Sequence, residues 1–310
     1  MTALTRLDAR PIPDDPDEIR GFLVVRNESL RLPANIRHHR ALGVNRFFVV
    51  DNGSSDGSLE FLLAQPDTHV FTATGSYSGS QFGMDWCNAL LEAYGVGHWT
   101  LTIDADELFV YDRCEIRPLQ ALRLHLEAGG SDGVFCLLLD MYSDQPLTRV
   151  VHQPDGSLLE ACRYFDPAPY RLLPAQAFPH LQIYGGARER LLQSLGAEAP
   201  HPPTISKIPF VRWRAGMRYL MSAHAITPIA LGVLTGALLL FKFLSDFPAR
   251  VDMEVSRGEH FNGASEYRAY AAALAREGGL QLFHAASRRY DSSGDLTRLK
   301  LMTAVDFEGA

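Results

Sequence analysis

Trp99-Thr-Leu-Thr-Ile-Asp-Ala-Asp-Glu-Leu108 decides how this chain is read. Its apolar and β-branched opening predicts a strand covered on both faces. The run ends in Asp104, Asp106 and Glu107, three carboxylates that repel one another and lose hydration when crowded. A divalent cation relieves both effects. Carboxylate oxygens suit Mg²⁺ or Mn²⁺, which keep open positions for phosphate oxygens. The spacing therefore points to a metal-diphosphate site at the edge of an α/β sheet. An acidic loop capping the next helix would carry the same letters, so the neighbouring segments have to decide.

Outward from this stretch, apolar runs alternate with helical spacing. Gly21-Phe-Leu-Val-Val25, Arg46-Phe-Phe-Val-Val50, His69-Val-Phe-Thr72 and Gly133-Val-Phe-Cys-Leu-Leu-Leu139 read as further strands. Helical spacing covers 30–42, 58–64, 81–94 and 117–127. Such alternation predicts βαβ units: an α/β fold with a mostly parallel central sheet and helices on both faces. Ligands of such sheets bind beyond the carboxyl ends of the strands. Asn27-Glu28, Asp51 and Asp104 to Asp106 each follow a strand end, so they are expected to converge on one crevice. The turn Asp51-Asn-Gly-Ser-Ser-Asp-Gly57 offers Asp51 to a ribose hydroxyl or base N–H, and Asp56 or Ser55 as a helix cap. Arg26-Asn-Glu28 reads as the floor of a nucleotide pocket.

After Tyr142 the pattern changes. Prolines at 146, 154, 167, 169, 174, 179, 202, 203 and 209 break the chain into turns and short strands, with Tyr164, Phe165, Tyr170, Phe178 and Tyr184 running through them. This predicts an irregular acceptor-side part, and 265–287 begins as a helix. The uncharged stretch 225–241 contains Pro228 and is closely followed by Lys242 and Asp246. It is too short for a full bilayer crossing and reads as a buried helix-strand segment.

Composition sets the outer bounds. With 310 residues, 46% hydrophobic and 21% charged, the chain is that of an ordinary globular protein. A net charge of −7 argues against general attraction to nucleic acid or anionic lipid. Cys87, Cys114, Cys136 and Cys162 form no CxxC pair, which disfavours zinc and fits a reducing compartment. Asp8, Asp14, Asp15, Asp17 and Glu18 precede the first strand in place of the basic-then-apolar order of a signal peptide. The expectation is a cytoplasmic location, with peripheral association at the inner face of a membrane as its variant.

Val25-Arg-Asn-Glu28, Leu32-Pro33, His39-Arg-Ala-Leu-Gly-Val44, Phe48-Val-Val-Asp-Asn-Gly-Ser-Ser-Asp-Gly57 and Ile103-Asp-Ala-Asp-Glu-Leu-Phe109 resemble, in that order, the family-2-type glycosyltransferases, closest to the bacterial branch akin to the family-92 enzymes. Ser206-Lys-Ile-Pro209, Ser222-Ala-His224, Gly236-Ala-Leu-Leu-Leu-Phe-Lys-Phe243 and Asp246-Phe247 extend the resemblance into the second half. It implies a GT-A (Rossmann-like) fold, a nucleotide-sugar donor with UDP as default, and Mn²⁺ or Mg²⁺. It implies that Glu28 and Asp51 hold the nucleoside beside Arg26, and that Asp104 and Asp106 face the metal and diphosphate. Lys207 would offset phosphate charge. The chain would divide into an extension (1–20), a nucleotide-sugar-binding half (21–145), an acceptor-binding, site-completing half (146–264) and a helical segment (265–310). The branch often carries a histidine where this chain has Leu240, so the metal shell would use His224, use water, or bind weakly.

The resemblance implies sugar transfer with inversion to a glycan or lipid-linked glycan, with no nucleic-acid partner. Inversion needs a base for the acceptor hydroxyl and positive charge for the departing nucleoside diphosphate. Asp144 and Glu189 are the expected base candidates, with Asp140 nearby; Arg188 and Arg190 read as acceptor or phosphate contacts or as surface charge. Two alternatives stand beside transfer: a GT-A-like domain that binds nucleotide or glycan without turnover, and a nucleotidyltransferase. The second usually has a Gly-rich basic loop after the first strand, and Arg26-Asn-Glu28 is not one.

Overall fold

The alternation seen in sequence becomes two cores on either side of a sheet. The computed structural model describes residues 4–175, 181–196, 200–276 and 280–307. Phe178 and Pro179, assigned above to the irregular part, lie outside the described residues. Nine strands form the central sheet: β1 (Thr5–Arg6), β2 (Ile19–Val25), β3 (Arg46–Asp51), β4 (Thr68–Thr72), β5 (Trp99–Thr102), β6 (Glu107–Val110), β7 (Gly133–Asp140), β8 (Ser206–Arg212) and β9 (Leu231–Leu240). Their spatial order is β1-β4-β3-β2-β5-β8-β7-β9-β6. β2 to β5 are mutually parallel; β8 runs against both β5 and β7, β9 follows β7, and β1 and β6 are antiparallel edges. Six of the nine strands thus point the same way, and the expected mostly parallel sheet is present.

Four helices pack on the first half: α1 (Leu32–Leu42), α2 (Ser58–Ala64), α3 (Met84–Tyr94) and α4 (Leu119–Ala128). Leu23 and Val25 of β2 share a core with Leu32 and Ile36 of α1, Leu62 of α2 and Leu119 and Leu122 of α4. Phe22 points the other way, into a core with Trp86, Leu90 and Leu91 of α3. This is the period-two alternation of a strand covered on both faces. α1 starts with Pro33 in its first turn and stops at Gly43, whose φ of 109° only glycine adopts readily. α3 begins three residues later than its spacing predicts. Gln81, Phe82 and Gly83 all take positive φ (51°, 58° and 81°), which no right-handed helix can contain.

The second half completes the same sheet instead of forming a detached lobe, because β8 and β9 lie within it. The 225–241 stretch becomes the short strand Ala225–Ile226 and β9. Among the described residues no helix is long and apolar enough to cross a membrane. Among the helices after the irregular segments are α5 (Gly186–Ser194), α6 (Phe247–Arg257) and α7 (Phe261–Leu274). Arg31, fully buried at the start of α1, joins the two halves: its guanidinium donates to Asp246 at 2.6 and 2.8 Å and to the Phe241 carbonyl at 3.0 Å.

Candidate functional site

A cleft of about 780 Å³ opens over the C-terminal ends of β2 and β5. Asp104, Asp106 and Glu107 form its floor, with one carboxylate oxygen from each lying within 4.8 Å of the others. The loop that carries them is clamped from behind. Asn35 of α1, fully buried, donates to the backbone carbonyls of Asp104 at 3.1 Å and Glu107 at 2.8 Å. The Phe241 N–H donates to the Asp106 carbonyl at 2.8 Å. With its backbone fixed, the loop holds its carboxylates together despite their repulsion.

Lys207 balances the floor. Its buried ammonium donates to Asp104 Oδ2 at 2.6 Å and to Glu107 Oε1 at 2.5 Å. Burial works against a charged lysine, but the two carboxylates overcome it and raise its pKa. Burial and the charges of Asp104 and Asp106 push Glu107 upward against the pull of Lys207. Asp104 moves the other way: burial opposes ionisation, but the ammonium bonded to it holds its pKa down. Lys207 reaches this place through a bulge in β8, whose register with β7 shifts between Lys207 and Phe210, around Pro209. The freed Ile208 N–H donates to Ala223 at 2.7 Å, next to His224.

The candidates read from sequence divide three ways. Asp104, Asp106, Lys207, Glu28, Arg26 and His224 all line the cleft. Glu28, expected to hold a nucleoside, is already held by both terminal nitrogens of Arg250 at 2.8 Å. His224 is half-buried and donates from Nδ1 to the Ser206 carbonyl at 2.6 Å. Burial and the Lys207 charge push it down to about 3, so the imidazole is neutral. It stands apart from the three-carboxylate cluster. Leu240 lines the floor in register with Glu107 and adds no ligand atom.

Three candidates fall outside the cleft lining. Asp51 is buried, and its Oδ2 accepts the N–H groups of Gly53 and Ser54 at 3.1 Å, shaping its own turn, while its Oδ1 has no hydrogen-bond partner among the described residues. Asn52 takes its place on the wall, with Arg26 donating to the Asn52 carbonyl at 2.8 Å. Asp144 sits on an exposed loop outside the cleft, where it accepts from Gln145. Glu189 faces Arg171 at 2.6 Å and Gln193 at 3.1 Å, also outside. Neither base candidate borders the space a substrate would fill. Arg190 pairs with Asp166 at 3.0 Å outside the cleft, whereas Arg188 lines it and pairs with Asp140 at 2.7 Å.

Sequence reasoning missed the opposite wall. Arg250, Glu254 and Arg257 of α6 and Glu266 and Tyr267 of α7 all line the cleft. Lys242 lies 3.5 Å from Glu266 and 5.4 Å from the ring centroid of Tyr267. Burial opposes ionisation of Glu266, but the charges of Lys242 and Arg188 outweigh it and bring its pKa to about 2. The available signal was the run of charged residues on α6, which ordinary surface helices share.

No protein-family model and no curated protein matches the chain. Among solved structures it is similar to a UTP-bound UGPase from Acinetobacter baumannii, at 9% identity and a TM-score of 0.30 over 92% of each chain. It is also similar to a 4-diphosphocytidyl-2C-methyl-D-erythritol synthase, at 12% identity and 0.30 over 92% of this chain and 98% of that one. A UDP-glucose pyrophosphorylase from Acinetobacter baumannii follows, at 11% identity and 0.29 over 92% of each chain. Scores this low leave function to be argued from the chain itself.

Proposed function

We propose that the cleft binds a nucleotide-diphosphate sugar together with a divalent cation and transfers the sugar, with inversion, to a hydroxyl of a glycan or lipid-linked glycan. One observation carries the reading: the half-buried Asp106 carboxylate has no hydrogen-bond or ion-pair partner among the described residues, although every other acid on the cleft wall has one. An unpartnered carboxylate in a cleft is costly unless a ligand satisfies it.

The charge balance supports the same conclusion. Arg250 pairs with Glu28 at 2.8 Å, Arg257 with Glu254 at 3.0 Å, Lys242 with Glu266 at 3.5 Å and Arg188 with Asp140 at 2.7 Å. Lys207 is shared by Asp104 and Glu107. A nucleoside diphosphate therefore meets a wall whose cations are mostly neutralised, and needs a cation of its own. Asp106 and the half-exposed Asp104 fit Mg²⁺ or Mn²⁺, hard ions that take one or two carboxylates and complete their shell with phosphate oxygens. When bound, the ion would neutralise charge on the departing diphosphate. Arg26 and Asn52 flank the nucleoside. Arg188 and Glu266 face the acceptor, and Glu266, ionised at neutral pH, orients it by accepting a hydrogen bond from its hydroxyl. A cytoplasmic enzyme acting on free or membrane-held glycans fits this reading.

Isothermal titration of UDP, with and without Mn²⁺, on the wild type and Asp106→Ala tests it. Binding that requires Mn²⁺ and is lost in the variant supports the donor site. Binding of another nucleotide but not UDP changes the donor. No nucleotide binding at all overturns the proposal.

A further inference from the structure

Lys207 occupies the point where a cation shared by Asp104 and Glu107 would have to sit. Its Nζ lies 2.6 Å from Asp104 Oδ2 and 2.5 Å from Glu107 Oε1. A divalent ion bridging the same two oxygens would stand about 2.1 Å from each, almost on top of the ammonium. The two cations exclude each other by volume as well as by charge. The second oxygen of Glu107 is also committed, since Oε2 accepts the Asp104 N–H at 3.1 Å. Each oxygen of Glu107 is thus already engaged, and the ammonium fills the side from which a bridging metal would approach.

The neighbouring positions do not make up the loss. Leu240 is apolar, and His224 stands outside the cluster with its Nδ1 on a backbone carbonyl. The ligands that remain are Asp106 and the free oxygen of Asp104.

We propose that Lys207 is a built-in counter-cation that withholds Glu107 from the metal, so that the ion is bound firmly only together with the nucleotide's phosphates. This rests on the reading above that Asp104 and Asp106 take a divalent ion. Lys207 is then a positioning residue that makes metal and nucleotide binding mutually dependent. The bulge around Pro209 is the backbone device that puts it there.

Calorimetric titration of Mn²⁺ alone, and of Mn²⁺ with saturating UDP, tests the proposal on four proteins: wild type, Lys207→Met, Glu107→Gln and the double variant. The wild type should bind Mn²⁺ at least about tenfold more tightly with UDP than without it. Lys207→Met should tighten binding of Mn²⁺ alone by about tenfold or more, because Glu107 becomes a third carboxylate ligand. The double variant should lose that gain, and Glu107→Gln alone should leave Mn²⁺ affinity within about twofold of wild type. Unchanged or weaker Mn²⁺ binding by Lys207→Met overturns the proposal while the functional reading stands. So does a large loss in Glu107→Gln, which would make Glu107 a ligand already. If Lys207→Met lacks a cooperative thermal transition, the Glu107→Gln result decides. A wild type that binds no Mn²⁺ even with UDP overturns both.

Discussion

β3 and β5 lie on either side of β2 and run parallel, and each ends in an acidic loop at the same edge of the sheet. The two loops use their carboxylates in opposite ways. After β3, Asp51 accepts the N–H groups of Gly53 and Ser54, while Asp56 accepts those of Ser29 and Ser58. There the turn N–H groups engage Asp56 and one oxygen of Asp51, whose Oδ1 stays buried without a hydrogen-bond partner among the described residues. After β5, the backbone is held by an outsider, Asn35, and Asp106 keeps its carboxylate free. The lesson is that a carboxylate at a strand end becomes available to a ligand only when something else satisfies its loop.

The largest effect expected from this contrast is at Asp106. Asp106→Ala should weaken Mn²⁺-dependent nucleotide binding by about a hundredfold or more, because it removes one of the two ligands left to the metal. Its thermal midpoint should stay near wild type, since no internal bond is lost. A large drop in midpoint would mean the residue is structural, and the contrast between the loops would collapse.

Asp51→Ala should do the reverse, costing about 1 kcal/mol in urea unfolding as two turn N–H groups lose their acceptor. Nucleotide affinity should change by less than about tenfold, because the residue lies off the cleft lining and gives one oxygen to its own turn. Calorimetry on this variant that shows binding abolished would place Asp51 at the ligand after all.

Asp56 sharpens the contrast through pH. Burial works against its ionisation, but hydrogen bonds from Ser58 and Ser29 prevail and lower its pKa. A carboxylate depressed on folding contributes stability above its unfolded pKa and loses it as pH falls through the folded value. That window lies below about pH 4. Urea midpoints measured at neutral pH and at about pH 3 should fall less for Asp56→Asn than for wild type; equal falls would show that Asp56 is not tied into the turn. The smallest effect belongs to Asp144, exposed beyond β7, whose side chain accepts from the adjacent Gln145. Asp144→Ala should leave sugar transfer within about twofold, and a large loss of turnover would return it to the chemistry.

The first half of the fold was legible because each strand and helix there carries its own period and its own stop signal. Pro33 and Gly43 bracket α1, and Gly53 and Gly57 mark the turn before α2. β8 was not legible. Pro209 interrupts it and Lys207 is charged, so a central strand, buried up to Arg212, was hidden among the turns and short strands of the irregular part. The floor of the site could be read from Asp104, Asp106 and Lys207, but the wall opposite could not. Arg250 meets Glu28 from 222 residues away, and its charge reads as surface until the partner is known. Asp51 could not be sorted by sequence for a simpler reason: an acid that folds its own turn and an acid that awaits a ligand have the same letter and the same neighbours.

The place of β8 bears on how the molecule comes into being. β5 and β7 flank it, and both are made long before it during synthesis. Until residues 206–212 emerge, each of those strands presents an open edge of unpaired amides, the feature that drives neighbouring chains to associate. Pairing across so long an intervening segment is also slow, because the loop must close before any contact rewards it. The same late strand brings Lys207, so the junction between β5 and β7 and the counter-charge of the cleft floor arrive together, before β9 closes the other side of β7. A nascent chain that has not reached that point holds three crowded acids with no counter-charge, and is both unfinished and exposed to aggregation.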